Sequence, residues 1–182
     1  MKNPVKRSTF RLALSAVLAA LAVGTMLLSA VLPVGTYFLP CVAGVFMAVI
    51  LTECGGKWAL GAYLVSAVLS LIFAYDKEAV FFYIAFFGYY PVIRQALRAH
   101  ISKGWLRLLL SLLIFNAACV ASFFAGLWLL SVPVEEYTLS GVYVPWIFLL
   151  LGNVLFLLYD RALTAFLIFY ERKLRNKLLK RR

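Results

Sequence analysis

Six long apolar runs, separated by short charged or turn-forming segments, constrain this chain more than any other feature. A helix that crosses a bilayer needs about 20 predominantly apolar residues. Hydrophobic residues make up 65% of the 182 positions and charged residues 14%, which leaves too little polar surface to cover a water-facing core. The sequence therefore predicts an all-α fold: a single-domain polytopic membrane helical bundle, residues 1–182, with six transmembrane helices.

Prolines and acidic residues mark the ends of the predicted spans. Pro33 follows the first apolar run, Glu53 the second, and Pro133 with Glu135 separates the last two. Pro91 is expected to kink or end the fourth, because proline cannot continue the backbone ladder. The predicted spans are 10–32, 36–52, 58–75, 79–93, 106–131 and 142–163, followed by a basic amphipathic tail, 164–182.

The first apolar run follows a basic N-terminus and could be mistaken for a signal peptide. It extends from Leu12 to Leu32, whereas the apolar region of a signal peptide is roughly 7–15 residues long. We therefore expect this run to be a retained first span.

Basic residues fall on one side of the predicted bundle. All of the 18 Lys and Arg residues except Lys77 lie at the same side of the six spans. They lie before span one or at its start, between spans two and three, between spans four and five or at the start of span five, and at or beyond the inner end of span six. Cytoplasmic segments of membrane proteins carry the excess of Lys and Arg. Both termini are therefore predicted to be cytoplasmic, in a multi-pass protein of the bacterial cell membrane. The same placement argues against nucleic-acid binding, which a net charge of +11 would otherwise suggest.

Residue patterns typical of catalysis are absent from the sequence. The single histidine, His100, lies in a basic loop, and there is no HExxH motif, Gly-rich phosphate loop or acidic pair within a span. Cys41, Cys54 and Cys119 lack metal-ligand spacing and suggest no pairing. The sequence predicts that the protein is not an enzyme and has no cofactor, no metal site and no structural disulfide.

A ladder of small residues occupies span one. Ala16, Ala20 and Gly24 are four residues apart and so share one helix face, where small side chains allow another backbone to approach closely. The pattern fits internal packing against another span and docking of a separate membrane protein equally well.

Two asparagines lie near the middle of the last two spans. Asn116 is about 14 Å above Arg107, and Asn153 is about 15 Å below the outer start of span six, at 1.5 Å per residue. A buried amide needs hydrogen-bond partners, so these two are expected to bond across the helix pair. The alternative is that they contact a ligand.

Charged and aromatic residues gather at the predicted outer face. The segment Asp76-Lys77-Glu78 precedes a run rich in Phe and Tyr, and further rings flank spans five and six. An interfacial aromatic belt explains most of these rings. The sharper hypothesis is a ligand pocket at the outer ends of spans three to six, with contacts from Tyr83, Trp128, Tyr143, Trp146 and Glu78. The basic tail is expected to bind anionic membrane lipids.

The opening RLALSAVLAALAVG, the segment DKEAVFFYIAFFGYYPVIR and the six-span topology resemble substrate-binding S components of energy-coupling factor (ECF) transporters. The resemblance covers the whole chain in topology, but its motifs are short. It implies that a vitamin-like small molecule is bound from outside. It also implies that Ala16 and Ala20 dock on a transmembrane coupling subunit, which two cytoplasmic ATPases drive. No vitamin-specific motif is present, and the acidic outer face mildly favours a small organic solute.

Rod-shape-determining membrane proteins of the MreD type are similar in size, span number and charge. They act as scaffolds of the cell-wall synthesis machinery and need no ligand pocket. The position of the outer rings separates the two hypotheses. Rings that converge with Tyr83 on a cavity favour the transporter subunit, and rings that face lipid favour the scaffold.

Overall fold

The computed structural model describes the backbone of residues 4–32, 35–129, 138–139, 142–143 and 145–175, and the side chains of 8–32, 35–124, 149–173 and 175. Its helices are α1 (Pro4–Leu28), α2 (Gly35–Cys54), α3 (Gly56–Phe73), α4 (Lys77–Phe82), α5 (Tyr90–His100), α6 (Gly104–Leu129) and α7 (Pro145–Phe169). A π-helical turn, Tyr83–Phe87, lies between α4 and α5, and a second one, Tyr170–Leu174, follows α7. The predicted all-helical class is confirmed.

Six helical stretches are long and apolar enough to cross a membrane, so the prediction of a multi-pass membrane protein is also confirmed. They are Ser8–Leu28, Gly35–Cys54, Gly56–Phe73, Lys77–His100, Gly104–Phe124 and Leu149–Lys173. The fourth extends well beyond the predicted 79–93. Pro91 lies in the first turn of α5, where a helix does not need the amide hydrogen that proline lacks.

The chain divides into two compact units, Met1–Tyr137 and Thr138–Arg182. In the first unit α2 is the central helix: it contacts α1, α3, α4, the Tyr83–Phe87 turn and α5. Gly55 makes the tight connection from α2 to α3 with a φ of +96°, a conformation that costs glycine little because it has no Cβ. Helix α6 contacts α4, α5 and the π turn.

The second unit begins with a short antiparallel ribbon and continues as one long helix. Strand β1 (Thr138–Leu139) pairs with β2 (Val142–Tyr143), with Thr138 opposite Tyr143. At the far end of α7 the rings of Phe166 and Tyr170 stack with centroids 6.3 Å apart. Lys173 Nζ lies 5.7 Å from the centroid of the Phe169 ring, a cation–π contact.

Candidate functional site

An open cleft of about 520 Å³ lies where the end of α1 and the start of α2 meet the α3–α4 turn. Its lining combines residues from the turns at the helix ends with three consecutive charged residues. It consists of Ser29, Ala30, Val31, Leu32, Thr36, Tyr75, Asp76, Lys77 and Glu78. The cleft therefore contains the Asp76-Lys77-Glu78 segment that the sequence places at the outer face.

Asp76 ties the start of α2 to the start of α4. Its Oδ1 accepts a hydrogen bond from the Ala79 amide (3.1 Å), so Asp76 is the N-cap of α4. Its Oδ2 accepts a hydrogen bond from Thr36 Oγ1 (2.7 Å). A carboxylate at this position satisfies a helix-end amide and interacts favourably with the helix dipole. Asp76 thus stabilises one wall of the cleft.

Lys77 caps the preceding helix. Its Nζ donates to the carbonyl oxygens of Leu71 (2.7 Å) and Ala74 (2.8 Å) at the C-terminal end of α3. Those carbonyls have no partner further along the helix and attract positive charge. The ammonium charge is therefore held against α3.

Glu78 and Tyr75 present the most accessible polar groups of the cleft. Glu78 is exposed, and Tyr75 is 88% exposed. Carboxylates beside an aromatic ring suit a small polar or cationic solute, because the ring face and the carboxylate both attract positive charge. Within the described part of the chain no group of three or more His, Cys, Asp or Glu residues could hold a metal ion.

Tyr83, which the sequence places among the ligand contacts, lies inside the bundle rather than in the cleft lining. Its side chain is fully buried. Ser66 Oγ donates to the Tyr63 carbonyl (3.0 Å), and a hydroxyl has a single hydrogen to donate. In the 2.6 Å contact between the two hydroxyls, Tyr83 Oη therefore donates to Ser66 Oγ. The geometry gives Tyr83 a packing role between α3 and the π turn, and its role in ligand binding stays a prediction.

Tyr63 is the residue of this region that sequence reasoning missed. Its hydroxyl donates to the Ile84 carbonyl (2.7 Å) in the π turn, and its ring packs directly on Gly88. A Cβ at Gly88 would lie 2.6 Å from Tyr63 Cε2 and 3.0 Å from Tyr83 Cε2. The only sequence signal was the glycine itself, set among four aromatic residues in Phe86-Phe87-Gly88-Tyr89-Tyr90.

The two asparagines each bond to the helix that carries them. Asn116 Nδ2 donates to the Leu112 carbonyl (2.8 Å), and Asn153 Nδ2 donates to the Leu149 carbonyl (3.0 Å). Both residues are half-buried. These bonds satisfy one amide hydrogen each; the predicted bond between the two asparagines stays a prediction, as does their contact with a ligand.

Three further predicted ligand contacts lie in or beside described backbone, but their side chains are outside the described residues. Trp128 belongs to α6, Tyr143 to β2 and Trp146 to α7. Their predicted convergence on a pocket stays a prediction.

The small-residue ladder of α1 faces outward. Ala16, Ala20 and Gly24 are exposed, and a Cβ built on Gly24 would meet no atom of the described structure within 4 Å. The buried face of α1 consists of other residues, Ser15, Ala19, Ala22 and Met26. Packing within the described chain therefore uses a different face of α1 from the ladder.

Together these features define the class of protein as a multi-pass helical membrane protein with a polar cleft at one end and an exposed small-residue face. Comparison with protein-family models, with curated proteins and with solved structures finds no match to this chain.

Proposed function

We propose that this protein is the membrane-embedded substrate-binding subunit of an ECF-type importer of a vitamin-like small solute, with both termini in the cytoplasm of a bacterial cell. The observation that carries the proposal is the outward position of Ala16, Ala20 and Gly24. Lipid tails are as apolar as leucine, so a lipid-facing surface has no need of small residues. A row of them fits a helix that a partner backbone approaches closely.

The docking partner proposed for this face is the transmembrane coupling subunit, together with its two ATPases. Larger apolar side chains flank the row on the exposed surface of α1: Leu12, Val17, Leu21 and Leu28 are all about half exposed or more. A partner helix would lie over the small residues and contact these flanking side chains. Close backbone approach of this kind drives association in bilayers by van der Waals packing.

The ligand would enter the cleft beside Asp76 from the outer side of the membrane. Of the predicted ligand contacts, Glu78 lines this cleft. Because Lys77 is held against the end of α3, the accessible charge is carboxylate. A small organic solute with a positive group fits this arrangement. The predicted contacts at Trp128, Tyr143, Trp146, Asn116 and Asn153 belong to the same proposal.

Affinity purification of the tagged protein from its native membrane, followed by mass spectrometry, tests the proposal. We expect a coupling subunit and two ATPases with the unmodified chain. Ala20→Leu should reduce their recovery about tenfold, a loss of about 1.4 kcal/mol in association, because the added side chain separates the backbones. The matched control is Val65→Leu on the exposed surface of α3, away from the proposed docking face, which should leave recovery unchanged. Equal recovery with both variants would contradict docking on this face.

A scaffold of the MreD type is the second candidate, and one observation favours it. Three polar side chains within the spans bond inside the bundle: Asn116 and Asn153 bond to their own helices, and Tyr83 bonds to Ser66. A scaffold needs only such internal bonds. Recovery of cell-wall synthesis proteins in the same purification, without ATPases, would identify this function and rule out the transporter.

The proposed orientation has its own test. A C-terminal fluorescent protein that folds only in the cytoplasm should be bright. A cysteine at Tyr75, in a chain without its native cysteines, should react with an impermeant maleimide added outside intact cells. A dark fusion together with an unreactive Tyr75→Cys would show that the protein has the opposite orientation in the membrane.

A further inference from the structure

The stretch Tyr83–Pro91 departs from α-helical hydrogen bonding at several consecutive positions. The Gly88 amide donates to the Tyr83 carbonyl (2.9 Å), five residues back, instead of to Ile84, four residues back. Pro91 has no amide hydrogen to offer the Phe87 carbonyl. This stretch joins two regular helices, α4 and α5, within one candidate span, Lys77–His100.

A side chain from another helix takes the place of the missing backbone bond. The Ile84 carbonyl, which Gly88 would bond in an α-helix, accepts the hydroxyl of Tyr63 from α3 (2.7 Å). One residue further on, the Ala85 carbonyl accepts a hydrogen bond from the hydroxyl of Tyr89. Unsatisfied backbone carbonyls are costly in an apolar environment. The π register is thus stabilised by two tyrosine hydroxyls.

Packing fixes the ring of Tyr63 where its hydroxyl reaches the turn. Its centroid lies 5.9 Å from that of Tyr83 and 5.8 Å from that of Tyr89, both in edge-on arrangements, which are favourable for aromatic pairs. Gly88 leaves room for the ring face. The amide of Gly88 is also the group that would bond to the Ile84 carbonyl in an α-helix.

We propose that the Tyr83–Phe87 turn is a register switch, in which the Tyr63 hydroxyl and the Gly88 amide compete for the Ile84 carbonyl. With Tyr63 bonded, the turn is π-helical, as observed. With Gly88 bonded to Ile84, the turn becomes α-helical and Tyr63 is released. Each register gives the Ile84 carbonyl a hydrogen-bond partner, the Tyr63 hydroxyl in the π-helical turn and the Gly88 amide in the α-helical one.

The switch changes the position of α5 relative to α4. Converting a π turn to an α turn removes one residue from the turn, which rotates the following helix by about 100° and shifts it by about 1.5 Å. The rotation would change the exposure of the polar residues of α5. Arg94 is buried now, whereas Gln95 and Arg98 are exposed. Movement of α5 would therefore change how far its arginine side chains are exposed at that end of the span. This inference does not depend on the proposed transport function.

Distance measurement between spin labels in lipid nanodiscs tests the switch. Labels are attached at Tyr75→Cys, in the α3–α4 turn, and Ala99→Cys, in α5; both sites are exposed. The full-length background is Cys41→Ser, Cys54→Ser and Cys119→Ala. Tyr63→Phe removes the competing hydroxyl and keeps the ring. It should produce a second distance displaced on the order of 5 Å, from rotation of α5.

The matched control is Tyr83→Phe, which removes a hydroxyl from the same aromatic cluster, breaks the bond to Ser66 and keeps the Tyr63 hydroxyl that bonds to Ile84. It should keep the single distance of the unmodified chain. A single unchanged distance in Tyr63→Phe, or the same displacement in both variants, would overturn the proposal. Tyr89→Phe, which frees the Ala85 carbonyl, is a second variant that should populate the same new distance to a smaller extent, and no change in it would count against the switch.

Discussion

Helices α1 and α2 are neighbours of similar length, yet they have opposite surroundings. In the most apolar part of α2, 61% of residues are buried inside the protein; in the most apolar part of α1 the share is 22%, although the mean hydropathy of the α1 span is the higher of the two, 2.0 against 1.8. Apolar character therefore determines that a helix lies in the membrane. It does not determine whether protein or lipid surrounds it.

Side-chain size accounts for the difference. The buried positions of α2 include Ala43, Gly44 and Ala48, which let α1, α3 and α4–α5 approach closely. The outer face of α1 carries large side chains such as Leu12 and Leu28. Helices in lipid gain little from burying apolar area, because the tails are equally apolar, and associate through close packing instead. The exposed ladder of α1 departs from this rule, which is why it carries the proposed docking role.

The largest effect that separates the two helices should come from shortening a buried side chain of α2. Met47 is fully buried, and Met47→Ala should lower the free energy of unfolding by about 2–3 kcal/mol, because it leaves a cavity at the centre of the bundle. Leu12→Ala, at a position 60% exposed on α1, is the control and should change it by less than about 0.5 kcal/mol. Chemical denaturation in micelles measures both, and equal losses would show that α2 is no more enclosed than α1.

A smaller effect should distinguish a glycine in a closed environment from one in an open environment. Gly88→Ala places a Cβ against the rings of Tyr63 and Tyr83, and the resulting displacement should cost about 1–2 kcal/mol of unfolding free energy. Gly61→Ala on α3, where a Cβ meets no atom of the described structure within 4 Å, should be neutral or stabilising, because alanine favours the helix. The midpoint of thermal unfolding should therefore fall for Gly88→Ala only.

Rescue provides the internal check on the Gly88 prediction. Combining Gly88→Ala with Tyr63→Ala removes the ring that the new Cβ meets. The double variant should be less destabilised than the sum of the two single changes. If the losses of unfolding free energy were additive, contact with the Tyr63 ring would not be the cause of the destabilisation by Gly88→Ala.

The smallest expected effect concerns the cleft, where the ends of the helices meet. Asp76→Ala removes the N-cap of α4 and the bond to Thr36, at a cost of about 1 kcal/mol. Asp76→Asn keeps an acceptor oxygen and should recover most of this stability. The stability of Glu78→Ala, measured in the same unfolding series, should stay close to that of the unmodified chain, because Glu78 is exposed and the N-cap of α4 is Asp76. A larger loss for Glu78→Ala than for Asp76→Ala would contradict this assignment of the two carboxylates.

Sequence reasoning was most successful for long apolar segments, because a span of about 20 apolar residues has few alternatives to a membrane helix. The Asp76-Lys77-Glu78 segment was likewise recognised as a turn between spans, since three adjacent charges do not enter lipid readily. The candidate span Lys77–His100 is longer than the predicted 79–93, since the chain remains helical beyond Pro91. Its place in the first turn of α5 depends on the π turn before it.

The positions of individual side chains could not be predicted in the same way. Ring density placed Tyr83 among the predicted contacts of the outer pocket; that its ring is buried and its hydroxyl bonds to Ser66 is visible only in the structure. A π turn changes the face on which the following residues lie, and it forms here with tyrosine hydroxyls as partners for its carbonyls. One of those tyrosines, Tyr63, lies 21 residues before its acceptor. No local pattern encodes such a pair.

The order of residues alone is enough to predict that this chain is helical, that six segments of it are apolar enough to span a membrane, and where charge interrupts them. These properties depend on local composition and on the cost of leaving backbone groups unbonded in lipid. The packing of the helices was needed to show which helix is central. It was also needed to show which small residues face outward, Ala16, Ala20 and Gly24 rather than Ser15, Ala19 and Ala22. The reason is that lipid and protein interior are equally apolar, so burial depends on shape and packing between helices distant in sequence.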